Sequence, residues 1–131
     1  ELDQAMMLGL TPLAWSPLGG GRLAKPDGDK AKAVAAALDA VAMSQGISRT
    51  VAAYSWLMAH PAGIVPIIGS QQATRIAEGV QALHVRWTRQ DWYAVLVAAR
   101  GERLPVRAVS WPRRGPGGGA RTDALGAQPG A

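Results

Sequence analysis

Along the 131-residue chain, apolar residues alternate between helical spacing and short continuous runs. The opening stretch ELDQAMMLG reads as the last turns of a helix closed by Gly9, which adopts left-handed backbone at low cost. LTPLAWSPL is short, apolar and bounded by prolines, which predicts a buried strand stopping at Ser16. GGGRLAKPDGD follows as a loop of the length that usually carries function. Val34, Ala37, Leu38, Val41 and Ala42 predict a helix over residues 30–45, ended by Gly46. Ser48 is placed to cap a second helix running to His60, just before Pro61. GIVPIIGS predicts the second buried strand: Ile64, Val65, Ile67 and Ile68 favour extended backbone, while Pro66 limits ladder bonding on one side. After Ser70, the spacing of Ile76, Val80 and Leu83 predicts one apolar helical stripe. TRQD opens a last helix, with Thr88 as cap and Asp91 closing a capping box, and Gly101 ends it.

Two strands separated by roughly 45 residues of helix and loop predict a parallel crossover, because antiparallel neighbours rarely need so long a return. Two parallel strands leave open edges and uncovered faces, so the pattern asks for further strands upstream. The expected fold is α/β, part of a (β/α)8 barrel whose earlier units lie outside this chain. The chain opens at Glu1 already inside a helical pattern, which again points to a longer parent. Residues 1–109 form the expected partial domain. Residues 110–131 are mostly Gly, Pro, Ala and Arg, cannot bury enough apolar surface to offset the entropy of ordering, and are expected to be a disordered tail.

Composition removes several function classes. There is no cysteine, hence neither a disulfide framework nor a thiolate metal site, and His60 and His84 are not spaced as a ligand pair; metal catalysis is not expected. No apolar run approaches the roughly 18 to 20 residues of a membrane span, and no signal-peptide pattern is present, so the expected location is cytoplasmic. The net charge of +5 is partly a property of the tail (Arg113, Arg114, Arg121), with the other basic residues scattered, so it does not argue for nucleic acid.

The chemistry concentrates where the predicted strands end. In IVPIIGSQQATRIAEG a Gly-Ser turn leads into a helix N-terminus, where unpaired N–H groups and the positive end of the macrodipole favour an anion such as phosphate. Arg75, about one turn into that helix, could add a charge-assisted bond. The plainer reading is that Gly69 and Ser70 only turn and cap and that Arg75 is solvated. In AWSPLGGGRL, Ser16 and the amides from Leu18 to Gly20 would lie on the same rim as Gly69 and Ser70. The plainer reading there is flexibility for the glycines and a core position for Trp15.

Taken together, GLTPLAWSPLGGGRL, AAYSWLMAHPAGIVPIIGS, RIAEGVQAL and WTRQDWYAVLVAARGERLP resemble the C-terminal third of aldo-keto reductases, in order and spacing over residues 1 to about 105. The resemblance implies that the strands are the last two of the barrel. It implies NADP(H) as cofactor and a small-molecule carbonyl as substrate of the full-length parent, without metal. It maps the pyrophosphate loop onto Trp15, Ser16, Pro17, Leu18 and Gly19, with Lys25 as a basic contact farther along. It maps the 2′-phosphate and adenine segment onto Gly69, Ser70, Gln71, Arg75 and Glu78. Many relatives have asparagine where this chain has Gly79. The family's catalytic tyrosine and its lysine, aspartate and histidine partners come from earlier strands, so no catalytic residue is expected here and the chain alone is expected to be inactive. Tyr54 and Tyr93 fall on predicted helices, where packing with the hydroxyl at the surface is the usual role, and His60 reads as a capping or surface residue.

Two other readings compete. VAMSQGISRTVAAYSWLMAH imitates a DNA-binding helix-turn-helix, but its second helix is too apolar to present polar side chains to base edges. A non-catalytic nucleotide-binding protein or truncated product would keep the fold without the chemistry.

Overall fold

In the computed structural model the described residues are 1–101. The expectations for the tail at 110–131, and for the last residues of the 1–109 domain, lie outside them. The elements run α1 (Leu2–Met7), β1 (Leu13–Ala14), α2 (Asp29–Gln45), α3 (Arg49–Met58), β2 (Val65–Pro66), α4 (Ala73–Gln81), a single 3-10 turn (Ala82–His84) and α5 (Arg89–Arg100).

The two strands pair in parallel, Leu13 with Val65 and Ala14 with Pro66, so the chain contains the crossover that the strand spacing predicts. Val65 and Ile67 donate their N–H groups to the carbonyls of Pro12 and Ala14, at 3.0 and 2.8 Å. Pro66 sits between these donors, so its missing N–H falls on the edge turned away from β1, where this pairing needs none.

Helix boundaries follow local chemistry. Gly46 ends α2 with left-handed backbone (φ 65°), and the next N–H, of Ile47, returns to the Ala42 carbonyl at 3.0 Å. Ser48 Oγ accepts from the Val51 N–H at 3.2 Å and starts α3. Thr88 caps α5 by accepting from the Asp91 N–H at 3.1 Å. The capping box differs in detail from expectation: the Asp91 carboxylate accepts from the Thr88 hydroxyl at 2.6 Å.

The core lies between α2, α3 and α5, where Leu38, Ala42, Ala52, Ala53 and Val95 pack together. Trp56 on α3 and Trp92 on α5 stack with centroids 5.0 Å apart, and each indole N–H donates to the other residue's carbonyl at 3.0 Å. A second cluster, Val51, Tyr54 and Ala82, ties α3 to the turn after α4. Residues Val51 to Ser55 are buried, so α3 does not present the surface of a recognition helix, and the helix-turn-helix reading fails on packing.

Two expectations of burial are corrected. The strands are short and largely uncovered: Leu13 is 65% exposed, Val65 and Ile67 are each 46% exposed, and of the predicted buried run Ile64 is buried and Ile68 packs half-buried against the second cluster. The stripe Ile76, Val80 and Leu83 is likewise exposed, and α4 buries no residue. In both places the apolar pattern is present while the layer that would cover it is not among the described residues. We predict that the isolated 131-residue chain associates through its uncovered strands. Light scattering should then report a mass well above the monomer's 13.7 kDa, whereas a monodisperse monomer with a sharp cooperative unfolding transition would contradict this.

Candidate functional site

Parallel pairing directs both strand ends to one rim, and the turns that follow them line a common surface. A lobe of about 160 Å³ is lined by Ser16, Pro17, Leu18, Gly20 and Gly21 from the first turn, by Ile67, Gly69, Ser70 and Arg75 from the second, and by Tyr54. A larger lobe of about 520 Å³ is lined by Leu18, Gly21, Leu23, Ala24, Arg49, Thr50, Tyr54, Arg75 and Glu78. Leu18, Gly21, Tyr54 and Arg75 belong to both, so the lobes adjoin as one groove.

Of the residues singled out in the sequence, the groove gathers Ser16, Pro17, Leu18, Gly69, Ser70, Arg75 and Glu78. Trp15, Gly19, Lys25 and Gln71 line neither lobe. Trp15 is 80% exposed and therefore not a core side chain either, because no layer among the described residues covers the strand it follows. Gly19 works inside its turn: its N–H donates to the Ser16 carbonyl at 2.8 Å, and its carbonyl accepts from Arg22 Nε at 2.9 Å. Ser16 has φ 49°, left-handed backbone that only glycine adopts without cost, so the first turn is held in a strained form at the groove wall.

Polar groups at the second turn are arranged from both sides. Ser70 Oγ accepts from the Gln72 N–H at 3.1 Å, and α4 then begins without a side-chain cap. Glu78, one turn beyond Arg75, accepts from Ser48 Oγ at 2.9 Å, so the residue that caps α3 also fixes a groove carboxylate on α4. A β-carbon on Gly79 would overlap Ile68 Cδ1, so a side chain at this position requires Ile68 to move.

Tyr54 packs as expected, in the cluster with Val51 and Ala82, and it also reaches the groove. It is 5% exposed, lines both lobes, and its hydroxyl is held in the protonated form: burial raises its pKa, the Glu78 carboxylate adds to the shift, and Arg75 opposes it. A helix that feeds a parallel strand has its N-terminal end at the rim where the strand ends, so Arg49, Thr50 and, one turn on, Tyr54 could have been placed there by topology. Tyr93 stays in its packing role, edge-on to Trp92 at 5.2 Å and under Arg89. His60 is a local cap: its Nδ1 accepts from the Ala62 N–H at 3.0 Å, and burial lowers its pKa.

The groove is lined by Arg75, by Arg49 with its guanidinium tied to Asp39 and Leu23, by the hydroxyl-bearing Ser16, Thr50, Tyr54 and Ser70, by one carboxylate, Glu78, and by apolar Leu18 and Leu23. Such a donor set suits an elongated ligand that carries both phosphate and a flat ring. Among the described residues no three of His, Asp and Glu gather as a metal site, and no helix is long and apolar enough to cross a membrane.

Fold and groove define an α/β protein with its candidate site at the rim where parallel strands end. The chain belongs to the aldo/keto reductase family, whose sequence profile matches residues 2–97. Members of this family are oxidoreductases that generally use NAD(P)H, act on small carbonyl compounds and fold as (β/α)8 barrels. A 6-dehydroglucose reductase of Novosphingobium aromaticivorans is 85% identical over 105 residues, covering 80% of this chain and 34% of that protein. A 6-dehydroglucose reductase of Agrobacterium fabrum is 38% identical over 72% of this chain and 31% of its own length. The oxidoreductase YdhF of Escherichia coli is 37% identical over 79% of this chain and 35% of its own. The chain thus spans about a third of the length of the curated relatives it matches.

Because Ser48 serves two partners, its removal should be felt on α3. We predict that Ser48→Ala weakens the first turn of α3 by about 1 kcal/mol, seen as roughly fivefold faster hydrogen exchange at the Val51 amide, with Ser48→Thr restoring protection.

Proposed function

We propose that the chain supplies the final two strand–helix units of an NADP(H)-dependent reductase barrel, carrying part of the cofactor site and none of the proton-transfer groups. The observation that carries this reading is Arg75, which lines both lobes of a groove that Ser16 shares with Gly69 and Ser70. Family membership supports the reaction type, and the donor set of the groove fits a phosphorylated dinucleotide.

In this reading Arg75 and Ser70 hold the adenosine 2′-phosphate at the start of α4, where the helix end adds a favourable field. The turn from Ser16 to Gly19 runs along the pyrophosphate, with Pro17 and Leu18 as its apolar wall. Trp15, Lys25 and Gln71, outside the lobes, flank the ligand where the remainder of the barrel completes the site. Glu78, positioned by Ser48, and Tyr54 bound the adenosine end. Held there, NADP(H) would supply the hydride for reduction of a carbonyl carbon, and the proton would come from residues outside this chain. The residues of this chain bind and orient; the chemistry they support is positional and electrostatic.

The name shared by two relatives suggests 6-dehydroglucose as the substrate of the complete enzyme, most directly through the one that is 85% identical. The proposed setting is cytoplasmic, with no membrane, nucleic-acid or metal partner, and the 131-residue chain by itself is proposed to be inactive.

A charge-assisted bond from Arg75 to the 2′-phosphate contributes about 1.5–3 kcal/mol, or roughly 10- to 100-fold in affinity. In the complete reductase, Arg75→Ala should weaken NADPH binding by that factor in a fluorescence titration and leave NADH binding nearly unchanged. Equal weakening of both cofactors would remove Arg75 from the 2′-phosphate and with it the proposed orientation.

A further inference from the structure

Arg49 is the first residue of α3, and its guanidinium joins three segments that are distant in sequence. Its Nε and Nη2 donate to the two carboxylate oxygens of Asp39 on α2, at 2.6 and 2.5 Å. Its Nη1 donates to the backbone carbonyl of Leu23, in the loop after β1, at 2.8 Å. That loop is folded on itself around the same point. The Leu23 N–H donates to the Leu18 carbonyl at 3.5 Å, and the N–H groups of Ala24 and Lys25 converge on the Gly21 carbonyl at 3.0 and 3.2 Å.

The pairing with Asp39 sets the orientation of the guanidinium. The two-point hydrogen bond holds the Asp39 carboxyl below its ordinary pKa and raises that of Arg49, so both are charged at neutral pH. Both side chains are about one-third exposed, so the pair contributes little to stability as such. Its consequence is directional: with Nε and Nη2 committed to Asp39 the plane of the guanidinium is fixed, and an Nη1 N–H is thereby aimed at the Leu23 carbonyl. A lysine has no planar fork and cannot hold both partners in this geometry.

We propose that Arg49 is a positioning residue for dinucleotide binding: acting through the Leu23 carbonyl, it holds the segment from Leu18 to Lys25 as a wall of the larger lobe and so sets how long NADP(H) stays bound. The proposal rests on the NADP(H) reading given above. Arg49 lines that lobe alongside Leu18, Gly21, Leu23 and Ala24, all of them in the segment it restrains. Three of its five N–H groups are committed to Asp39 and Leu23, so the guanidinium is fixed to the wall and its removal acts on the ligand through that wall.

Two measurements test this. The first is hydrogen exchange in the 131-residue chain, followed at the Leu23, Ala24 and Lys25 amides. Arg49→Ala and Arg49→Lys should each accelerate these by about fivefold or more, the scale of one lost hydrogen bond, while the Ala52 and Val95 amides in the core keep their protection. Unchanged exchange in the loop overturns the proposal.

The second is stopped-flow release of NADPH from the complete reductase. Both variants should release it about tenfold faster and raise the KM for NADPH, without lowering kcat at saturating cofactor. Restoration of the wild-type release rate by Arg49→Lys would reduce Arg49 to a surface ion pair and overturn the proposal. A wild-type enzyme that fails to bind NADPH would overturn the cofactor reading instead, and the exchange experiment would still decide whether Arg49 holds the loop.

Discussion

Everything in this chain that bears on function depends on one short parallel pairing, Leu13–Ala14 against Val65–Pro66. Parallel strands end on the same side, so the turns that follow them have to meet there. An antiparallel pairing of the same residues would have sent Ser16 and Ser70 to opposite rims. The ladder is only two residues long on each strand, yet the donors Val65 and Ile67 fix its register, and Pro66 is tolerated because its ring nitrogen faces the other edge. So small a sheet cannot hold itself together; the helices behind it do that work. The indole–carbonyl exchange between Trp56 and Trp92, inside the α2–α3–α5 core, anchors the helix that delivers the chain into β2.

The groove is then set by which helix ends reach the rim. The start of α3 contributes Ser48 and Arg49, each with two duties. Ser48 caps its own helix and donates to Glu78, while Arg49 pairs with Asp39 and holds Leu23. These contacts join the first turn, the second turn and the helical layer, so the walls of the groove are not independent. Strain is concentrated at Ser16, whose left-handed backbone is the one non-glycine instance among the described residues. Holding a serine there keeps a hydroxyl where glycine would have been the easier choice.

Local signals were the most legible in the sequence. Ser48 and Thr88 as caps, Gly46 as a helix end and the long crossover between strands all rest on short-range chemistry or chain length, and the structure places them as the pattern implied. The shared rim of Ser16, Gly69, Ser70 and Arg75 followed from the parallel topology. Burial was much less legible. Ile76, Val80 and Leu83 form an apolar stripe, and Leu13 and Val65 sit in apolar runs, but periodicity says only that a face is apolar, not that something covers it. Tyr54 packs as a helix tyrosine is expected to, but its place at the groove was not legible. A tyrosine on a helix reads only as packing with a wet hydroxyl, and its place near the N-terminal end of α3 adds that it lines the groove beside Arg75 and Glu78.

The central claim, that the two turns hold one phosphorylated dinucleotide between them, is tested most directly by a crystal structure of the complete reductase with NADP+. The account predicts the 2′-phosphate within hydrogen-bonding distance of the Arg75 guanidinium and Ser70, with the pyrophosphate lying along Ser16 to Gly19. A cofactor whose phosphates contact only one of the two turns, or which binds elsewhere on the barrel, would contradict it.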